Sequence, residues 1–360
     1  MDFGFIMHPR SLSELRIMLP PYGIPFLPLG TPDTLKELCL KKGLVKDLFE
    51  LKNVVSENGT RCAGKVLCVY LAPEQFLENQ GAALELLKVA SDRLKDWGAE
   101  VIGLGGLTGV VGSRGKELNE QISIPVTSGN CFTVHSTIKV FERIVNETGF
   151  DLSDLKVTIV GFPGSISLAV SQILAKKGVN LVLVSKRETS FLKQFVSLIK
   201  DTTDVDVEFT NSLSDGLKMS KIIFTATSTG SIIDPDLLNK GTVVIDIAQP
   251  RDVIEKKKKR EDVLIVDGGI VTLPSNGRKK YKMFDWNGND IPGCLGETIL
   301  LALENRSEPF SIGRKLPIEK IEEIGVLGKK HGIVADNLIS FKKPISNESF
   351  QKFVEIFKSN

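Results

Sequence analysis

Apolar and polar positions along the chain mark out an alternation of short buried strands and amphipathic helices. Val66–Leu71 reads as a buried strand, and Glu78–Trp97 as a helix with apolar residues at helical spacing. Glu100–Leu104 is a second short strand that runs into the glycine-rich turn Gly103-Leu-Gly-Gly106. Ser123–Val126 is a third, followed by Thr127-Ser-Gly-Asn130 and a helix over Phe132–Asn146. Strands separated by helices imply a parallel or mixed sheet with helices on its faces. The acidic stretch around Glu147–Asp154 marks the expected boundary. Beyond it, Lys156–Val160, Leu181–Val184, Val205–Phe209, Lys221–Thr225, Thr242–Ile247 and Val263–Val266 all read as strands, with helices or turns between them. Six such strands are what a doubly wound nucleotide-binding sheet requires. The segment after Pro292 is expected to be helical and to pack back on one or both domains.

The expected fold class is therefore α/β, in three parts. Residues 1–150 form an N-terminal α/β substrate domain, 151–290 a Rossmann-like doubly wound NADP-binding domain, and 291–360 a C-terminal helical segment. Residues 18–30, broken by Pro20, Pro21, Pro25 and Pro28, exclude a regular helix or central strand. They read as a loop packed on a domain surface or as the wall of an apolar channel.

A length of 360 residues suits two cores better than one. The net charge of +2 supplies no global field for nucleic acid. Cys39, Cys62, Cys68, Cys131 and Cys294 form no CxxC pair, and His8, His135 and His331 are the only histidines, so no metal site is expected. An odd cysteine count fits reduced thiols. MDFGFIMHPR lacks the basic start and apolar core of a signal peptide, and no run approaches the ~20 apolar residues of a transmembrane helix. A cytoplasmic location is expected.

The clearest chemistry lies in KVTIVGFPGSISLAVSQILAKK, residues 156–177. A strand ends at Gly161, Gly164 follows three residues later, and a helix begins. Short glycine turns let the backbone approach a pyrophosphate, and a helix N-terminus offers free N–H groups and positive potential. Gly161, Pro163, Gly164, Ser165 and Ile166 are the predicted contacts. The spacing is GxxGxxS, with Ser167 in the place of a third glycine and Pro163 stiffening the turn. The second strand ends in Ser185-Lys186-Arg187, where an NAD enzyme usually places an acidic residue. A basic set suits the 2′-phosphate of NADPH. The turns holding Thr227 and Gly269 follow later strands and are predicted to border the nicotinamide.

Residues 290–304, DIPGCLGETILLALE, place Cys294 in the first turn of a predicted helix. The helix dipole there favours a thiolate, and a thiolate can hold an acyl group as a thioester. Asp290 and Glu297 oppose ionisation, and a small buried helix residue is the alternative reading. The Tyr-x-x-x-Lys pair common in carbonyl reductases is absent: Tyr22, Tyr70 and Tyr281 have Phe26, Glu74 and Asp285 four positions on.

With these residues in place, the chain resembles the aldehyde-forming long-chain acyl-[acyl-carrier-protein] reductases from about Phe3 to Ile333. The resemblance rests on FGFIMH at 3–8, Gly103-Leu-Gly-Gly-Leu-Thr108, Thr127-Ser-Gly-Asn130 and the Gly161/Gly164 loop. It continues through Ile233-Asp-Pro235, Asp267-Gly-Gly-Ile-Val271, Gly293-Cys-Leu-Gly-Glu297 and 318–325 leading to His331-Gly332. It implies that Cys294 is acylated by a fatty thioester, and that NADPH reduces the bound acyl group to a free aldehyde. The acyl donor would be a fatty acyl-carrier protein or acyl-CoA, with an aldehyde-consuming enzyme downstream. Ser128, Asn130 and Thr133 are candidates for substrate or nicotinamide contacts. Two basic runs, Lys256–Arg260 and Arg278–Lys282, are either solvated surface or a docking patch for an acidic carrier protein. Two other readings remain open. One is an NADPH-dependent dehydrogenase of a small hydroxy or keto acid with shikimate dehydrogenase-like architecture. The other is a non-catalytic NADPH-binding sensor.

Overall fold

The computed structural model describes residues 1–10, 14, 44–152, 154–275 and 289–358. The described residues form two compact units. The first lies within 1–132, with 273–275 and 289–334, and the second comprises 133–272 with 335–358. The proline-rich stretch 18–30, Cys39 and the basic run Arg278–Lys282 lie outside the described residues.

The first unit is built on a mixed sheet of β1 (Phe3–Met7), β2 (Val45–Val55), β3 (Arg61–Val69), β4 (Val101–Leu104) and β5 (Val126–Thr127), in the order β2-β3-β1-β4-β5. Only β2 runs antiparallel to its neighbour β3. The apolar run near the N-terminus, not read as a strand in the sequence, is thus a central strand. Phe3 and Ile6 are fully buried within it. A strand with neighbours on both sides and helices on both faces has no position for a polar side chain, hence its unbroken apolar run.

Side-chain alternation assigns a helix to each face. Gly4 pairs with Ile102, and Phe5 with Gly103, so Gly4 and Gly103 face opposite ways. A Cβ on Gly4 would meet Leu94 Cδ1 at 2.6 Å, while one on Gly103 would overlap Thr298 Oγ1. The helix Gln80–Trp97 therefore lies against one face and the helix Gly293–Leu303 against the other. Ala83, Leu86, Leu87, Ala90 and Leu94 line the buried side of the first helix at helical spacing. Asn79 caps its start by accepting from Ala82 N–H at 3.0 Å, and left-handed Gly98 ends it. Burial of a side chain like Leu94 contributes roughly 2 kcal/mol.

The second unit holds an all-parallel sheet of β6 (Lys156–Val160), β7 (Asn180–Val184), β8 (Val207–Thr210), β9 (Ile222–Thr225), β10 (Thr242–Asp246) and β11 (Val263–Asp267). The order β11-β10-β9-β6-β7-β8 is the doubly wound arrangement, with β6 and β9 flanking the point where the winding reverses. Ligands bind such sheets outside the carboxyl ends of the strands at that point. Val160, Val184, Ile223, Val244 and Val253 share one core cluster beside it.

The expected α/β class with its Rossmann-like second part is the observed fold. Two details differ from the sequence reading. The chain passes from the first unit to the second inside the helix Asn130–Thr148, so the acidic stretch expected as a boundary begins within the end of that helix. The stretch after Pro292 also divides. The helices Gly293–Leu303 and Ile318–His331 belong to the first unit, and Asn347–Lys358 to the second. Among the described residues, no helix is long and apolar enough to cross a membrane.

Candidate functional site

At the winding reversal β6 gives way to Gly161, which adopts φ +94°. A Cβ there would stand 2.7 Å from the Ala226 carbonyl oxygen after β9, so the turn can pass that strand only as glycine. Phe162 N–H donates to the Val184 carbonyl at 3.3 Å, holding the turn at the carboxyl end of β7. Gly164 N–H donates back to Gly161 O at 2.9 Å. Gly164 is also the N-cap of the helix Ser165–Lys176 and brings no side chain to that helix's first amides. Ser165 and Ile166 form the first turn, and Pro163 borders it. Ser167 Oγ, in the same turn, is buried with no hydrogen-bond partner. An uncapped helix start and an unsatisfied hydroxyl behind a glycine turn fit the pyrophosphate of a dinucleotide.

The predicted discriminator stands beside this turn, because Val160 and Val184 are paired at the ends of β6 and β7. Ser185 is buried, and its hydroxyl donates to the Arg187 carbonyl at 3.2 Å, shaping the corner. Lys186 and Arg187 are exposed, and neither forms an ion pair with a described residue. Glu188, the nearest acidic residue in sequence, is drawn instead to Lys193 at 3.6 Å. Two uncommitted cations and a hydroxyl-fixed corner suit a 2′-phosphate.

On the other side of the reversal point, buried carboxylates organise the loops. Asp252 accepts from Thr225 Oγ1 at 2.5 Å, from Thr227 N–H at 2.9 Å, and from Thr227 Oγ1. Thr227, expected to touch cofactor, thus commits its hydroxyl proton to Asp252, while its methyl group lies beside Gly161. Asp246, ending β10, accepts N–H bonds from Ala248 and Val253, both at 3.0 Å. Burial pushes the Asp246 carboxyl up to about 7, with Asp252 adding to the rise against the Val253 and Ala248 amides and Arg251. Arg251 forms a two-pronged pair with Asp267, one contact at 2.6 Å, and Asp267 also accepts from the Phe341 and Lys342 amides. Gly269 packs on Thr133: a Cβ would meet Thr133 Cγ2 at 2.7 Å. These two candidate residues are brought together as a packing contact. The roles of Asp246, Arg251 and Asp252 escaped sequence reasoning; the stretch Asp246-Ile-Ala-Gln-Pro-Arg-Asp252, with two acids and an arginine after a strand, was its available signal.

The remaining candidates meet in the first unit. Gly129, at φ +72°, lies on the start of the Cys294 helix, where a Cβ would overlap the Cα of Cys294. Ser128 Oγ donates to the Ser311 carbonyl, and Asn130, half-buried, begins its helix. Glu297, fully buried, accepts from Thr127 Oγ1 and from Phe132 N–H at 2.8 Å. Burial raises its carboxyl, against bonds from Thr127, Ser311 and Phe132. Glu297 thus supplies side-chain acceptors to the start of the helix Asn130–Thr148, a role the sequence reading missed. The lowered thiol expected at Cys294 is not found. Packing around the thiol pushes it up to about 12, with Glu297 adding to the rise, despite backbone bonds from Leu295, Cys294 and Gly106. Desolvation outweighs the helix dipole.

Lys256, in the first basic run, pairs with Asp234 at 2.8 Å and Asp236 at 3.1 Å, and Arg260 pairs with Asp262 at 2.7 Å. Part of that run's charge is therefore spent within the unit.

Residues 142–267 match the family model described as shikimate / quinate 5-dehydrogenase, a span that covers the six parallel strands. The chain is 33% identical over 97% of its length to "Aminotransferase PigE" of Serratia sp. and covers 41% of that protein. It is 31% identical to glutamyl-tRNA reductase of Histophilus somni, over 31% of this chain and 28% of that one. It is 23% identical over 51% of its length to shikimate dehydrogenase (NADP(+)) of Aquifex aeolicus, covering 66% of that enzyme. The chain thus spans less than half the length of the first two.

These findings correct the resemblance to acyl-[acyl-carrier-protein] reductases: the matched family model is that of a different class of oxidoreductase, and the long relative bears an aminotransferase name. Of the residues that suggested it, Gly103, Gly129 and Gly269 make close packing approaches and Glu297 accepts from the Phe132 amide at a helix start. Residues 142–267 thus carry a Rossmann-like NAD(P)-binding fold of the kind that the shikimate / quinate 5-dehydrogenase model describes, and the cofactor class is NADP(H).

Proposed function

We propose that the chain is an NADP(H)-dependent dehydrogenase that interconverts a hydroxyl and a carbonyl group on a small polar substrate, of the hydroxy-acid or keto-acid class. The observation that carries this reading is the exposed pair Lys186 and Arg187 beside the uncapped helix start at Gly164. Gly161, Gly164 and the amides of the first turn hold the pyrophosphate, while Ser185 fixes the corner from which Lys186 and Arg187 reach the 2′-phosphate. When bound, NADPH supplies a hydride. The carboxylates Asp246 and Asp252 keep the loops after β9 and β10 in place through their amide and hydroxyl bonds. A thiol held at about 12 stays protonated at neutral pH, which favours a reaction without an acyl-cysteine intermediate. The name of the Aquifex aeolicus relative, an NADP(+) shikimate dehydrogenase, agrees with the cofactor and substrate class.

The test is a panel of hydroxy acids with NADP and keto acids with NADPH, followed by nicotinamide absorbance in wild type and Cys294→Ala. Reversible turnover that survives Cys294→Ala is the expected result. Tight NADPH binding without turnover of any panel member would point instead to the sensor reading. Turnover lost in Cys294→Ala together with a covalent acyl adduct in wild type would sink the proposal.

A further inference from the structure

Among the described residues Ser167 Oγ is one of three buried side-chain polar atoms without a hydrogen-bond partner, with Thr242 Oγ1 and His331 Nδ1, and of the three it is the one beside the Gly161 turn. The residue is 2% exposed. Nearby hydroxyls behave differently: Ser171 Oγ, one turn further along the same helix, donates to the Ser167 carbonyl at 2.7 Å. Leaving a buried polar group unsatisfied costs about 1–3 kcal/mol, so such a group calls for a reason. The direction of the side chain supplies one. Ser167 Oγ stands 3.6 Å from the place a Cβ would take on Gly164, so the hydroxyl points toward the N-cap of the 12-residue helix Ser165–Lys176. Gly164 brings no side-chain cap there. An uncapped helix start and an unsatisfied donor therefore converge from independent observations.

We propose that the Ser167 hydroxyl is a donor to the pyrophosphate of the bound dinucleotide, directly or through one water, in the position where such turns usually carry a third glycine. The inference rests on the reading that a dinucleotide occupies the Gly161 turn. In its absence Ser167 is a cost to the fold; with the anion in place the cost becomes a charge-assisted hydrogen bond. A glycine or alanine at 167 would leave the helix start as good a dipole but would remove this donor.

The experiment compares wild type, Ser167→Ala and a Lys186→Ser/Arg187→Ser double variant. It measures dissociation constants for NADPH and for adenosine 2′-monophosphate, which carries the 2′-phosphate and no pyrophosphate, together with the melting temperature without ligand. Ser167→Ala is expected to weaken NADPH about tenfold, to leave the 2′-monophosphate unchanged, and to melt at or above the wild-type temperature. The double variant is expected to weaken both ligands. If Ser167→Ala binds NADPH as wild type does, or melts lower and loses both ligands alike, the hydroxyl serves packing and the proposal falls. If wild type binds neither ligand, the dinucleotide reading itself fails.

Discussion

Gly129 lies against the backbone of Cys294, so closely that a Cβ on Gly129 would overlap the Cα of Cys294. The left-handed turn before one helix is thereby seated on the first turn of another, 165 positions further along, and Glu297 closes the joint through Thr127 and Phe132. Gly129→Ala should combine left-handed backbone strain of ~1–2 kcal/mol with overpacking of ~1–3 kcal/mol. A loss of about 3 kcal/mol of unfolding free energy is expected, read from denaturant midpoints. An unchanged midpoint would mean that the two segments move apart at little cost.

The cofactor preference should reside in the corner after β7. Replacing Lys186 and Arg187 together by serine removes two charge-assisted contacts, each about 1.5–3 kcal/mol when fully made. NADPH affinity is expected to fall at least tenfold, while NADH affinity stays within about twofold. Equal losses for both nucleotides would assign the pair to general electrostatics.

Cys294 offers a chemical test of its surroundings. With the thiol pushed up to about 12, the thiolate needed for alkylation is scarce at neutral pH. Iodoacetamide labelling of Cys294, followed by peptide mass, is expected to be slower than that of an unfolded-chain cysteine at pH 7.5 and to accelerate up to about pH 11. Rapid labelling at neutral pH would show a thiolate stabilised by something other than the neighbours named above.

Asp246 gives the fold a pH slope of defined sign. Its ordinary value is 3.8, and burial raises it to about 7 in the folded chain. Between about pH 4 and 7 the folded state therefore holds more protons than the unfolded one, and the unfolding free energy falls as pH rises. This contribution is fully present below the unfolded value and lost on rising through the folded one. Chemical denaturation across that window should show a shallower slope in Asp246→Asn than in wild type. An identical slope would remove Asp246 as its source.

The strands of the second unit were legible because each is a short apolar run bounded by turn residues. Lys156–Val160 was placed to the residue, and the other five to within two residues at either end. The Gly161 turn was legible for the same reason: strand, glycines and helix lie within 22 consecutive residues. The central position of Phe3–Met7 was not, because five apolar residues carry no mark of which strands flank them. Nor was the partnership of Thr127 with Glu297, since neither residue's neighbours in sequence hint at the other.

What the sequence alone determined is local: the alternation of strands and helices, the glycine turn, and the basic corner at Ser185–Arg187. Those features depend on spacing and on residue type within one turn or strand. The tertiary structure decided which distant segments meet, and with that the state of each ionisable side chain. A cysteine in a helix's first turn reads as activated until desolvation is counted, and desolvation is set by what packs around the thiol. In the same way Asp252, Asp246 and Glu297 gain their roles only when folding places backbone amides and hydroxyls around carboxylates that have left water.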